Sequence, residues 1–339
     1  MAFEDKFRRP LQNLRLSVTD RCNLRCAYCM PEVNYTWLPR TDLLSFEEIS
    51  RLVDVFVSLG VNHVRLTGGE PLLRRDIERL IRDLADKPGI QDLALTTNGV
   101  LLGPMADRLF EAGLHRLTVS LDTLRAGRFK ELTRREDLRA VFAGIDAARA
   151  AGFDGVKLDS VIMRGVNDDE LIDLLEYGKR VGAEVRFIEY MDVGGATRWS
   201  MDDVVSRAEI LEQLSKHYGA VAPVAETSCA PADRYTLPDG TLFGVISSTT
   251  APFCSSCNRS RLTADGMWYL CLYAREGVDL RKALRGGAST SELADLISKT
   301  WSVRDDRGAE ERLANSDRQA YSSGEMSSDP HFEMHKRGG

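Results

Sequence analysis

Three cysteines fall within eight residues, Cys22, Cys26 and Cys29, in the spacing Cys-x3-Cys-x2-Cys. Thiolates are soft ligands, and a loop of this length can wrap three of them around one inorganic core. Tetrahedral metals take four ligands, so three thiols leave a coordination position open, as a catalytic metal site requires. A cubane iron–sulfur cluster on three thiolates keeps one iron open in the same way. A zinc knuckle with a distant fourth ligand, or three reduced core thiols, are the plainer readings. A second triplet, Cys254, Cys257 and Cys271, repeats the arithmetic as Cys-x2-Cys-x13-Cys, again with zinc as the alternative. Within it runs NRSRLTADG, where Arg259 and Arg261 set two guanidinium forks beside the thiols. Such forks suit phosphate. Cys229 belongs to neither triplet and reads as a structural thiol.

The elements that must carry these loops show in the hydrophobic pattern. Apolar, β-branched runs at 14–18, 61–66, 92–96, 116–121, 156–161 and 185–188 read as strands. Helical patterns separate them: 46–59, opened by the capping box Ser45-Phe-Glu-Glu48, then 75–85, 104–112, 138–150 and 168–181. Strand–helix alternation implies a parallel sheet with right-handed crossovers. Six strands suggest an α/β fold of the incomplete (β/α)6, TIM-like barrel type, with a doubly wound open sheet as the alternative. After Asp192 the rhythm breaks into a helix at 209–217 and short strands at 234–237 and 242–246. The expected organisation is a partial barrel over 1–225, a β-rich C-terminal extension with the second triplet over 226–301, and a mobile tail over 302–339. That tail is rich in Ser, Asp, Arg and Glu, a composition expected to bury little surface.

The chain has 339 residues, 43% hydrophobic and 28% charged, with a net charge of −6. That balance argues against a broad electrostatic hold on nucleic acid. The N-terminus, MAFEDKFRRP, lacks the apolar stretch of a signal peptide, and no apolar run approaches a membrane span. The expectation is a cytoplasmic protein with no membrane partner, where thiols stay reduced and serve metals or catalysis.

The first triplet, with an aromatic residue (Tyr28) before its last cysteine, and Thr67-Gly-Gly-Glu-Pro71 after the second strand resemble the radical S-adenosylmethionine (SAM) enzymes. Paired glycines admit close backbone approach to a ligand, and Glu70 offers a carboxylate to an ammonium. The stretches LRLSVTDRCNLRCAYCMP, VRLTGGEPLLR, LTTNG, VSLD, FIEYMDVG and FCSSCNRSRLTADG are similar to one group in particular. That group is molybdenum cofactor biosynthesis protein A, the GTP 3′,8-cyclases, and the likeness spans almost the whole chain. It implies two [4Fe-4S] clusters, on Cys22, Cys26 and Cys29 and on Cys254, Cys257 and Cys271, with SAM on the first. It implies that a 5′-deoxyadenosyl radical takes hydrogen from C3′ of GTP and that C3′ then attacks C8. By the same resemblance Tyr28, Gly69, Ser120 and Met191 contact SAM, and Arg15, Arg65, Thr96, Lys157, Arg259, Ser260 and Arg261 contact GTP. Arg259 and Arg261 serve catalysis, together with the terminal Gly338 and Gly339, which thread the active site. Lys336 and Arg337 make the segment before those glycines less apolar than the group's. A homodimer and a downstream cyclic pyranopterin monophosphate synthase complete the implied partners.

Overall fold

Along the first strand, β1 (Asn13–Ser17), Leu14 and Leu16 are buried while Asn13 and Arg15 are half-buried. The apolar parity faces helices and the polar parity faces a cavity. The computed structural model describes residues 3–32, 34–225, 229–315 and 318–338. The six expected strand–helix units follow in chain order. They are α1 (Phe46–Ser58), β2 (His63–Thr67), α2 (Ile77–Ala85), β3 (Asp92–Thr97), α3 (Ala106–Glu111) and β4 (Arg116–Ser120). Then come α4 (Ala126–Thr133), which the periodicity missed, α5 (Leu138–Ala150), β5 (Lys157–Ile162), α6 (Leu171–Val181) and β6 (Glu184–Glu189). The capping box forms as read: Ser45 Oγ accepts from Glu48 N at 3.2 Å and the Glu48 carboxylate from Ser45 N at 2.8 Å.

The remaining strands join the same mixed, twelve-stranded sheet. After α7 (Arg207–Tyr218), β7 (Ala222–Pro223), β8 (Asp233–Thr236) and β9 (Leu242–Ile246) continue past β6, with β9 parallel to it. At the other edge β10 (Arg259–Leu262) runs parallel to β1, followed by antiparallel β11 (Met267–Tyr269) and β12 (Val278–Asp279). The parallel run therefore has eight strands, β10-β1-β2-β3-β4-β5-β6-β9, two more than the alternation predicted. Strand β9 follows α7 through β7 and β8, and β10 follows β9 with no α-helix between, so neither repeats the simple strand–helix unit.

One continuous core fills the space between sheet and helices, including Leu16, Phe56, Leu95, Val141, Phe187 and Trp268. Two further helices, α8 (Leu280–Arg285) and α9 (Thr290–Ser302), close it through Leu284, Ile297 and Trp301.

The tail departs from expectation. Its described residues form α10 (Gly308–Ala314), α11 (Ser323–Ser328) and α12 (Met334–Arg337), and Lys336 and Arg337 are buried. Charge pairing makes that burial possible where apolar packing does not. Buried Asp192 takes the Arg318 Nε donor at 2.8 Å, a bond from Arg312, and the Tyr273 hydroxyl at 3.0 Å. Burial raises the Asp192 pKa, but the two guanidiniums outweigh it and hold the carboxyl below its usual range. Asp192→Asn should therefore cost about 3 kcal/mol locally. Amide exchange across 309–315 and 318–322 is then expected to quicken ~100-fold while β1–β6 stay protected. Equal protection in both chains would refute this anchoring.

Candidate functional site

A cavity of about 840 Å³ runs along the polar face of the sheet. Both cysteine triplets line it, from opposite ends. Cys22, Cys26 and Cys29 follow the C-terminal end of β1. Cys254 and Cys257 precede β10, which is parallel to β1 with Asn13 opposite Arg259, so they stand at the strands' N-terminal edge. Cys271 returns to that edge from β11, where Tyr269 already pairs with Arg261. The ends of a five-residue strand lie roughly 16 Å apart.

Between the triplets the register builds a cationic row. Arg261, Arg15 and Arg65 are direct neighbours on β10, β1 and β2. Adjacent strands are ~4.8 Å apart, so the three guanidiniums share one small volume. Burial, then Arg261, Arg65 and Arg259, push the Arg15 pKa well below its ordinary value. Arg65 is drawn down to about 10, chiefly by burial. Its Nη1 donates to Thr96 Oγ1 at 3.0 Å and Thr118 Oγ1 at 3.1 Å. Lys157, further along the same wall, is lowered to about 8 by burial and by Arg186 and Arg116. Such a field calls for a polyanion.

Each triplet carries donors suited to thiolate on metal. The N–H groups of Leu24 and His335 reach Cys22 and Cys29, and those of Ala309 and Glu310, Arg259 and Tyr273 reach Cys254, Cys257 and Cys271. Hydrogen bonds to sulfur are a normal part of iron–sulfur sites. Burial raises Cys22 and Cys271 to about 11. Burial also raises Cys26 and Cys29, followed at Cys26 by Asp122 and the neighbouring thiols and at Cys29 by Cys22. A cationic core relieves both effects. Cys257 differs: burial raises it, but Arg259 and Arg304 outweigh burial and bring it to about 6. Among the described residues no three Cys, His, Asp or Glu converge on a single-ion site. A cluster, whose irons each take one thiolate, uses thiols set further apart.

The paired glycines answer to the first triplet's loop. A Cβ on Gly69 would lie 2.3 Å from Arg21 O, and on Gly68, at φ +146°, 2.4 Å from Thr19 O. Only glycines let the 19–21 segment cross here.

The Radical SAM superfamily model matches residues 16–178, and the Molybdenum Cofactor Synthesis C model matches 183–310. GTP 3′,8-cyclase 3 of Mycobacterium bovis is 55% identical over 340 residues, covering 99% of this chain and 90% of that one. The chain belongs to the GTP 3′,8-cyclase family. Relatives of that name from Acidothermus cellulolyticus and Staphylococcus aureus are 48% and 41% identical, each covering 92% of this chain and 89% and 93% of their own. Streptococcus suis SuiB shares the fold at a TM-score of 0.60 and 14% identity, covering 91% of this chain and 70% of that one.

Against that family pattern, most of the expected residues meet at the cavity: all six cysteines, Tyr28, Gly69, Ser120 and Met191, and Arg15, Arg65, Thr96, Lys157, Arg259 and Arg261. Two positions differ. Ser260 is fully buried on the opposite face of β10 from its two arginines, off the cavity wall. Strand alternation forbids all three side chains from facing one way. Glu70 is also off the wall. It accepts from Leu72 N at 3.0 Å, Thr97 Oγ1 at 2.7 Å and Asn98 N at 2.8 Å, so it ties the loops after β2 and β3. Burial raises it to about 7 despite those donors. Gly338 is at the row itself, where Arg261 Nη1 donates to its carbonyl at 2.8 Å and Arg15 Nη1 at 3.3 Å. Gly339 lies outside the described residues.

The sequence reading left Asp122 open as a helix cap or a hydrogen-bond partner and passed over Asn98 and Asp159. Asp122 accepts the Tyr28 hydroxyl at 2.8 Å and Val161 N at 2.8 Å, and burial raises it to about 6. Asn98 Nδ2 stands 3.8 Å from Cys22 Sγ. Asp159, in the alternation KLDSVI, shares the cavity face with Lys157.

Proposed function

We propose that this chain is a radical SAM GTP 3′,8-cyclase, carrying out the first committed step of molybdenum cofactor biosynthesis. The observation that carries the reading is one cavity with a thiol triplet at each end and a row of arginines between them. Cys22, Cys26 and Cys29 would hold one [4Fe-4S] cluster with SAM, and Cys254, Cys257 and Cys271 a second. Bound there, the first cluster and SAM supply the one-electron chemistry that yields a hydrogen-abstracting carbon radical.

The chain's own groups do the rest. Tyr28, braced by Asp122, and the Gly68–Gly69 turn shape the SAM end. Arg15, Arg65, Arg261 and Lys157 bind the triphosphate and so fix the ribose between the two ends. The row's position sets C3′ near the first triplet and the base toward the second. The walls keep water and abstractable hydrogens away from the reacting carbon. Net conversion moves one hydrogen off C3′, joins C3′ to C8, and returns one electron and one proton, so 3′,8-cyclo-7,8-dihydro-GTP is an isomer of GTP.

With this reading go an incomplete (β/α)6 barrel formed by β1–β6, a homodimer, a cytoplasmic location and consumption of the product by cyclic pyranopterin monophosphate synthase. Among the described residues no helix is long and apolar enough to cross a membrane.

The test is an anaerobic reaction of reconstituted chain, SAM, dithionite and GTP deuterated at C3′, read by mass spectrometry. Deuterium in 5′-deoxyadenosine, with a product isomeric with GTP, is the expected result. SAM cleavage without deuterium transfer would reject GTP as the substrate.

A further inference from the structure

The second triplet is framed by charges that lie far from it in sequence. Asp5, Arg9 and Arg304 are 6%, 2% and 3% exposed. Asp5 Oδ2 accepts from Arg9 Nε at 2.5 Å and lies 3.6 Å from Arg304 Nη1. Arg9 Nη1 donates to Cys254 O at 3.0 Å, and Arg304 Nη1 donates to Cys257 O at 2.8 Å. Arg304 Nη2 stands 3.8 Å from Cys257 Sγ. Asp306 holds the other edge of the Arg304 fork at 3.0 and 3.2 Å, and the guanidinium lies 4.5 Å over the Trp301 ring. Trp301 Nε1 in turn donates to Arg9 O at 3.0 Å.

Desolvating three charged side chains is a costly way to gain stability, since packed apolar groups would do as well. What this network delivers is placement. Both cysteine carbonyls are pinned by guanidiniums, and one guanidinium is aimed at a ligand sulfur. Asp5 and Arg9 precede residue 16, where the superfamily match begins, and neither lies in a recognised motif.

The geometry points to Arg304 as a positioning residue of the second metal site, held by Asp306 with Asp5 paired beside it, that fixes the 254–257 loop and sets the charge felt by a cluster on it. The inference rests on the cluster reading of that triplet. A cluster gains negative charge on reduction, so a nearby fixed cation favours the reduced form. Removing the cation lowers the midpoint potential, and removing a nearby anion raises it. Weakened outer support should also cost about 10–100-fold in metal retention.

The experiment uses the full-length chain with Cys22, Cys26 and Cys29 all replaced by serine, so that only the second triplet reports. Iron content, the EPR signal of the reduced cluster, its midpoint potential and iron loss to a chelator are measured in the parent, Arg304→Met, Arg304→Lys and Asp5→Asn. The parent is expected to hold about four irons. Arg304→Met should lose iron about 10–100-fold faster and shift the potential negative. Arg304→Lys should return the potential toward the parent's while still losing iron faster, because it keeps charge but not the fork. Asp5→Asn should also lose iron faster but shift the potential positive. Opposite shifts separate electrostatics from general damage, which would move both variants alike, and Asp5→Asn keeps the test alive if Arg304→Met fails to fold. Iron in the parent with an unmoved potential and unmoved loss rate in the variants overturns this inference alone. A parent without iron overturns the cluster reading and this inference with it.

Discussion

Arg15→Met is expected to weaken GTP binding ~30-fold to ~3,000-fold while changing the stability of the unliganded chain far less. Arg15 has arginines in register on both sides, Arg261 on β10 and Arg65 on β2. Like charges directly opposite on neighbouring strands destabilise a sheet. Their effect shows in the depressed Arg15 pKa, where burial leads and three arginines follow, while Asp159 pulls the other way. Methionine keeps the length and apolar stem and removes one of the repelling charges. The loss in the complex is larger. Truncating one member of a buried, hydrogen-bonded charge pair costs about 2–5 kcal/mol, which is the stated range of affinity. The lost bond to the Gly338 carbonyl is neutral at its acceptor and smaller, about 1 kcal/mol. Equilibrium binding of GTP and of guanosine, with thermal unfolding of the unliganded chain, checks the prediction. Guanosine affinity should be nearly unchanged. A fall in unfolding temperature with GTP affinity intact would mean that the row is structural and the triphosphate lies elsewhere.

How much of this was legible follows residue by residue. Arg15 stands between Leu14 and Leu16, so a charge on the cavity parity could be read from one strand. Its neighbour Arg261 is 246 positions away and meets it only through a β10–β1 pairing that no local pattern encodes. The same parity rule could have excluded Ser260, because Arg259 and Arg261 facing the cavity forces the intervening side chain away. Asp159 was equally open to that rule, alternating with Lys157 in a strand whose other positions are apolar or small. Asp122 and Asn98 were harder, since both follow their strands, where side-chain direction is set by loop geometry.

The tail buries more of its described residues than its composition suggested, for a physical reason. Low hydrophobicity predicts disorder when apolar burial must offset chain entropy. Here the anchors are charged hydrogen bonds to the folded body: Asp192 for Arg312 and Arg318, and the Leu272 and Ala274 carbonyls for Arg337 at 2.7 and 2.6 Å. Arg337 also packs 4.1 Å from the Tyr269 ring centroid. The basic residues that set this tail apart from an apolar one are thus part of what holds it.

Those anchors decide what Gly338→Ala should do. Gly338 has φ +67°, and a Cβ there would lie 2.1 Å from Thr67 Oγ1 and 2.9 Å from Ser17 Oγ. The left-handed backbone costs an L-residue about 1–2 kcal/mol. The overlap costs more, because Ser17 and Thr67 end β1 and β2 and are paired in register. The tail is the softer partner and must move. Residues 334–337 keep their own ties, including Met334 N to Gly194 O at 2.9 Å and Ser17 Oγ to Lys336 O at 3.0 Å. The expected result is local displacement of the last residues from Arg15 and Arg261, with the rest of the tail in place. A misplacement of about 1 Å at a catalytic site can cost ~100-fold in rate. Cyclic product should fall by at least that factor, while iron content and SAM binding hold. Faster amide exchange should be confined to 338, leaving 309–315 and 334–337 protected. Full turnover in a chain shown by exchange to have lost this contact would remove the tail from the reaction. Loss of iron along with turnover would instead assign Gly338 a role in folding the first thiol loop, whose Cys29 accepts the His335 N–H from the same tail.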